Sequence, residues 1–103
     1  MRVVAANSAP CLACFYCLHG RPNLCEDLLF VNGAYAQFIR LPARLVERNL
    51  LEIPSGLSFQ AAALTEPLAC VVRGVQAIRP ARGETAVILG AGPVGLLFAQ
   101  LLH

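Results

Sequence analysis

The chain has 103 residues, a net charge of +2, 57% hydrophobic residues and only 14% charged ones. That length gives one small domain and excludes two full ones, and an apolar share above the usual level of about 45–50% implies core-facing surface that something else covers. All eight basic residues are arginines scattered along the chain, which excludes the basic run that tracks a nucleic-acid backbone.

Met1-Arg2 is followed by four apolar residues before Asn7, so the start has no signal-peptide layout and a cytoplasmic protein is expected. Residues 2–6 read as the end of a strand. Residues 7–30 are rich in Cys, Pro and Gly and read as a loop held by something other than a core. From Gly33 to Leu41 the partial alternation predicts a strand with one wet face. Val46 to Ile53 is a short mixed stretch closed by the turn signal Pro54-Ser55-Gly56.

Ser58 predicts an N-cap for a helix beginning at Phe59. Glu66-Pro67 is expected to interrupt that helix, with Pro67 opening the next at its first position and Leu68, Val71, Val72, Val75 and Ile78 forming its apolar face. Arg79 to Glu84 is a polar turn, Thr85 to Leu89 a short buried strand, and Pro93 to Leu102 a helix. The 18 residues from Thr85 to Leu102 carry no charge, which meets the lower limit of roughly 17–25 residues for a membrane span. The Gly90-Ala91-Gly92-Pro93 interruption favours strand, turn and helix instead, and no membrane association is expected. There is no internal repeat and no low-complexity segment.

Cys11, Cys14, Cys17 and Cys25 follow C-x2-C-x2-C-x7-C. Zinc takes four soft ligands at tetrahedral corners, and a tight loop with one short excursion can supply them. Four thiolates leave no open position, so such a site braces a loop and does not touch substrate. An iron–sulfur cluster and a pair of disulfides are the competing readings, the second disfavoured in a reducing compartment. Cys70 reads as a small buried hydrophobe.

Gly90-Ala-Gly92-Pro93-Val94-Gly95 is a G-x-G-x-x-G between a predicted strand and a predicted helix. The first glycine permits a tight turn, the second lets the backbone approach a pyrophosphate, and the third lets helix and strand pack closely. The helix N-terminus offers unpaired N–H groups to phosphate. Glycines that serve only helix–strand packing are the alternative.

Cys11-Leu-Ala-Cys14-Phe-Tyr-Cys17-Leu-His-Gly20-Arg-Pro-Asn23-Leu-Cys25, the Glu66-Pro67-Leu68-Ala69-Cys70 segment and the Gly-Ala-Gly-Pro-Val-Gly turn together resemble the zinc-containing medium-chain dehydrogenases. Leu12 stands where that family usually has Gly. The resemblance implies an α/β chain of three parts. Residues 1–57 would be part of a GroES-like β-rich catalytic domain with a structural-zinc lobe at 8–30. Residues 58–83 would be connecting helices, and residues 84–103 the first strand–turn–helix of a Rossmann domain. It further implies zinc on Cys11, Cys14, Cys17 and Cys25, and a catalytic zinc that Glu66 binds directly or through its water. Gly90, Gly92, Pro93, Val94 and Gly95 would seat NAD or NADP.

A glutamate at position 66 is similar to the branch that acts on polyols, sugars or threonine; taken alone, without the motif around it, it reads as a helix-terminal carboxylate. The implied reaction moves hydride between a secondary alcohol, polyol or sugar and NAD(P), with a small-molecule substrate and a homo-oligomeric full-length protein. The family's Cys and Gly-His-Glu upstream of the lobe have no match before Cys11. The ribose-reading acid about 20 residues past the glycine turn has none either. These 103 residues alone are therefore expected to be inactive. A stand-alone zinc-binding interaction module without catalysis and a zinc-less relative of the quinone reductases are the alternatives.

Overall fold

Short strands of two or three residues each frame the N-terminal half. In the computed structural model, which describes all 103 residues, β1 (Val3–Ala5) pairs antiparallel with β4 (Leu50–Glu52), Val3 opposite Glu52 and Ala5 opposite Leu50. Strand β2 (Ser8–Ala9) pairs antiparallel with β3 (Leu29–Phe30), Ser8 opposite Phe30. The Val31 N–H donates to the Asn7 carbonyl at 2.8 Å, adding a rung beyond that ladder. The loop between β2 and β3 is thus closed at its neck.

Within that loop lie α1 (Phe15–Leu18) and a 3-10 turn at Pro22–Leu24. Helix α2 (Ala43–Asn49) follows Pro42 and leads directly into β4. It packs on β2, β1 and β4. Leu45 of α2 and Ala9 of β2 have no exposed surface, and Ile53 is buried with them. Burying one leucine side chain contributes about 1.5–3 kcal/mol, so this small core depends heavily on Leu45. The mixed stretch expected over Val46–Ile53 is the end of α2 followed by β4.

The strand expected from Gly33 to Leu41 does not form. Alternation supplies a wet face and a dry face, but a strand also needs a neighbour for its N–H and C=O groups. No segment pairs with this one, and Tyr35 and Phe38 stand exposed.

Residues Met1–Gly56 and Leu57–His103 divide into two units. In the second, α3 (Phe59–Ala62) is capped by Ser58, whose Oγ accepts the Ala61 N–H at 3.1 Å. Helix α4 (Thr65–Ile78) starts two residues earlier than the proline suggests, because the break falls at Ala63–Leu64. Pro67 then occupies the third helical position, where an N–H has no intrahelical partner to lose. Val71 is the fully buried residue of α4. The helix ends at Arg79, which adopts a left-handed conformation (φ 47°) and donates its N–H to the Val75 carbonyl at 2.9 Å. Pro80 follows and cannot continue the helix.

In the turn beyond, the Ala81 N–H donates to the Glu84 carboxylate at 2.8 Å. Helix α5 (Pro93–Leu102) opens with Pro93 at its first position. It packs on α4 where Gly74 leaves room for Phe98; a Cβ at Gly74 would lie 2.9 Å from the ring. The buried strand expected at Thr85–Leu89 has no ladder partner, and Val87 and Leu89 are exposed. A parallel strand exists only beside its neighbours, and none lies in these residues. No helix is long and apolar enough to cross a membrane.

Candidate functional site

Each cysteine of the C-x2-C-x2-C-x7-C pattern reaches its place through a local backbone device. Strand β2 ends two residues before Cys11. Leu12 then turns the chain in a left-handed conformation (φ 59°). Cys14 takes the N-cap position of α1 and Cys17 lies within it. Gly20 (φ 72°) ends α1: its N–H donates to the Cys17 carbonyl at 3.2 Å, and that of Arg21 to the Tyr16 carbonyl at 2.8 Å. This paired arrangement reverses a chain after a helix and favours glycine at the left-handed residue. The Pro22–Leu24 turn then brings back Cys25, which is buried.

The result is four Sγ atoms within 4.8 Å of one another. Tetrahedral zinc–sulfur bonds of about 2.3 Å place sulfurs about 3.8 Å apart, so the four need close only slightly around an ion. All five cysteines are free thiols, which removes the disulfide reading for this structure.

Backbone amides prepare the sulfurs for charge. The N–H groups of Ala13 and Cys14 donate to Cys11 Sγ at 3.4 and 3.3 Å, and the Cys11 N–H donates to Cys25 Sγ at 3.2 Å. The first two lower the pKa of Cys11. Amides of Cys17 and Glu26 hold the thiol of Cys14 down at about 6. Cys17 is pushed up to about 12, first by desolvation and then by the neighbouring Cys14 sulfur. Four soft donors within 4.8 Å of one another, with backbone amides holding Cys11 and Cys14 down, fit a structural metal ion.

Beside the lobe, Arg44 of α2 donates from Nη1 to the Asp27 carbonyl at 2.9 Å and from Nη2 to Asp27 Oδ2 at 2.8 Å. Asp27 raises the already high pKa of Arg44, with smaller contributions from Cys11 and Cys25. Sequence reading misses this pair, because nothing local connects residues 17 positions apart.

Glu66 belongs to the other unit and lies outside the four-sulfur group. It is exposed in the first turn of α4, where the positive helix end favours a carboxylate. Cys70, one turn on, donates its thiol to Glu66 Oε1 at 3.6 Å, and the carboxylate charge raises the Cys70 pKa. Cys70 is exposed, which corrects the expectation that it is a buried hydrophobe: its i to i+4 spacing puts it on the Glu66 face of α4, away from Val71.

The glycine turn shows two distinct backbone demands. Gly90 has φ +108°, a conformation open to glycine and poor for other residues. Gly95 lies so close to the Gly90 carbonyl that a Cβ there would collide with its oxygen. Gly92 is the N-cap of α5, extended, with open space at its Cβ position, and Pro93 and Val94 form the first turn. Next to the turn is an open hollow of about 650 Å³, lined by apolar groups including Ile78, Val87, Ile88 and Phe98.

No protein-family model matches the chain. It is 38% identical over 107 residues to D-arabinitol dehydrogenase 1 of Uromyces fabae, covering 98% of this chain and 29% of that protein. It is 36% identical over 101 residues to sorbitol dehydrogenase of Bacillus subtilis, covering 93% and 28%. Among solved structures it superposes on one described as a short chain alcohol dehydrogenase from E. coli CFT073, complexed with NADH. There the TM-score is 0.82 and the identity 28%, over 97% of this chain and 30% of that one. A zinc-binding dehydrogenase from Clostridium scindens gives a TM-score of 0.76 at 25% identity, over 96% and 27%. The chain therefore spans under a third of the length of these relatives, and with its four-thiol lobe and glycine turn it belongs to the zinc-dependent medium-chain dehydrogenase/reductase family.

Proposed function

We propose that this chain supplies the structural-zinc lobe and the opening of the dinucleotide-binding domain to an enzyme that moves hydride between a secondary alcohol, polyol or sugar and NAD or NADP. The observation that carries this reading is the convergence of four free thiols within 4.8 Å, in a chain matched almost end to end by polyol dehydrogenases. Residues 1–57 are assigned to a GroES-like domain with its lobe at 8–30, residues 58–83 to connecting helices, and residues 84–103 to the start of a Rossmann domain.

Cys11, Cys14, Cys17 and Cys25 would hold the structural zinc and keep the loop rigid. Gly90, Gly92, Pro93, Val94 and Gly95 would admit a pyrophosphate to the N-terminus of α5. Glu66 would ligate or orient a second zinc; its carboxylate accepts the Cys70 thiol, and that shell needs ligands beyond these residues. Zinc bound there would polarise the substrate oxygen as a Lewis acid, and the nicotinamide would carry the hydride. Free thiols fit a reducing, cytoplasmic compartment, and the exposed apolar side chains fit a protein that is homo-oligomeric at full length.

Metal analysis tests the reading. Purified protein is expected to hold close to one zinc per chain, lost when Cys14 and Cys17 are both replaced by Ser. Bound iron with visible absorbance, or no metal in reduced protein, overturns it. An interaction module without catalysis is the weaker reading, because such a module has no need of the close Gly95–Gly90 approach.

A further inference from the structure

The neck of the cysteine loop is gripped on both sides by one helix. On the entering side, the Asn49 side chain of α2 donates from Nδ2 to the Ser8 carbonyl, and its backbone carbonyl accepts the Ala6 N–H at 3.1 Å. On the leaving side, the Arg44 guanidinium holds both the carbonyl and the carboxylate of Asp27. Ser8 lies three residues before Cys11 and Asp27 two residues after Cys25, so these contacts act at the outermost ligands of the pattern. The inner pair, Cys14 and Cys17, is held by α1 itself. Between the two grips, Leu45 anchors α2 with no exposed surface.

We propose that α2 is a clamp on the metal lobe, in which Arg44 and Asn49 are positioning residues that keep Cys11 and Cys25 closed on the inner pair. The clamp works in two ways. It lowers the entropy that the two legs of the loop would otherwise regain when a ligand dissociates, since a loop whose ends are already fixed has less freedom to recover. It also holds the Arg44 guanidinium, fixed in place by Asp27, on the side of Cys11 and Cys25 in a shell of four thiolates that remains net negative with zinc bound. Arginine suits this role because its planar fork sets two nitrogens in fixed geometry against the Asp27 carbonyl and carboxylate, where lysine offers a single, freely rotating ammonium.

The proposal rests on the zinc reading above, and the experiment separates the two. Zinc release from the full 103-residue chain to a chromogenic chelator would be followed for the unaltered protein, Arg44→Gln, Asp27→Asn, their double variant, Arg44→Lys and Asn49→Ala. Glu47→Gln, on the same helix, serves as the control. Arg44→Gln and Asp27→Asn are each expected to speed release about three- to tenfold. The double variant should be no faster than the faster single one, Arg44→Lys should recover part of the loss, and Asn49→Ala should also release faster.

Sodium chloride at about 0.5 M should bring the unaltered protein toward Arg44→Gln, because the exposed part of the pair is screened. A role for the Arg44 side chain through packing alone would not give that convergence. The cobalt-loaded Arg44→Gln variant should keep the tetrathiolate charge-transfer bands, showing the same ligands held less long. If the unaltered chain takes up no zinc, both readings fall. If it holds zinc but Arg44→Gln releases it within about twofold of the normal rate, or Glu47→Gln speeds release equally, the clamp alone is overturned.

Discussion

Leu12 carries a cost that the cysteine pattern does not reveal. Its φ of 59° puts a branched-chain residue in the left-handed region, which costs an L-residue roughly 1–2 kcal/mol. The turn needs this conformation because Leu12 sits between Cys11 and the N-cap Cys14. The family's usual glycine meets the need without strain. Leu12→Gly is therefore expected to stabilise the metal-loaded chain by about 0.5–1 kcal/mol, the relief of strain being partly offset by the greater freedom of glycine in the unfolded chain. Denaturant melts of the two proteins decide it, and an unchanged or lower midpoint would contradict the argument.

The thiols give a second residue-scale prediction. In metal-free chain at pH 7, Cys14, held at about 6, is mostly thiolate, whereas Cys17, pushed up to about 12, is protonated. The thiolate is the nucleophile, so iodoacetamide should label Cys14 well before Cys17. Lowering the pH through about 6 should slow Cys14 specifically. Mass spectrometry of the modified peptides would show a reversed order if the assignment is wrong.

Among the secondary-structure elements, the glycine turn separates glycines that matter for different reasons. A Cβ at Gly95 collides with the Gly90 carbonyl, whereas a Cβ at Gly92 meets open space. Gly95→Ala is expected to cost about 1–3 kcal/mol and to reduce the ordering of α5, since the obstacle is rigid backbone. Gly92→Ala should be close to neutral for folding, although it would crowd a phosphate approaching α5. Far-UV circular dichroism with urea titration distinguishes them, and equal effects would argue that Gly95 is not packed as observed. The cap at Ser58 and helix α5 were legible from local sequence because each depends on neighbours within four residues. The start of α4 was misread by two residues, because the first turn of a helix tolerates a proline just as an interruption does.

Over the whole molecule, apolar surface exceeds what the second unit buries. Val87 and Leu89 are 82% and 96% exposed, and Val94 and Leu96 are at least half exposed. Covering such side chains contributes roughly 1.5–3 kcal/mol each, comparable in sum with a small domain's stability of about 5–15 kcal/mol. Residues 85–102 are therefore expected to exchange amide hydrogens quickly in the isolated monomer, while the metal-loaded lobe exchanges slowly. Residues 85–89 should be fastest, having no ladder to protect them. Slow, uniform protection across 85–102 would show that the unit is complete without partners.

By itself the sequence determined those features whose causes are local. The cysteine spacing marked a four-thiol loop, Ser58 marked a helix start, and strand-turn-helix order marked the glycine turn. Tertiary structure alone decided what depends on distant partners: the pairing of β1 with β4 and β2 with β3, the hold of α2 on Asp27 and Ser8, and the contact of Gly74 with Phe98. It also decided which apolar runs would not be strands. Alternation at 33–41 and the hydrophobic run at 85–89 state a preference for a sheet, but a strand is completed only by hydrogen bonds from a neighbouring chain segment.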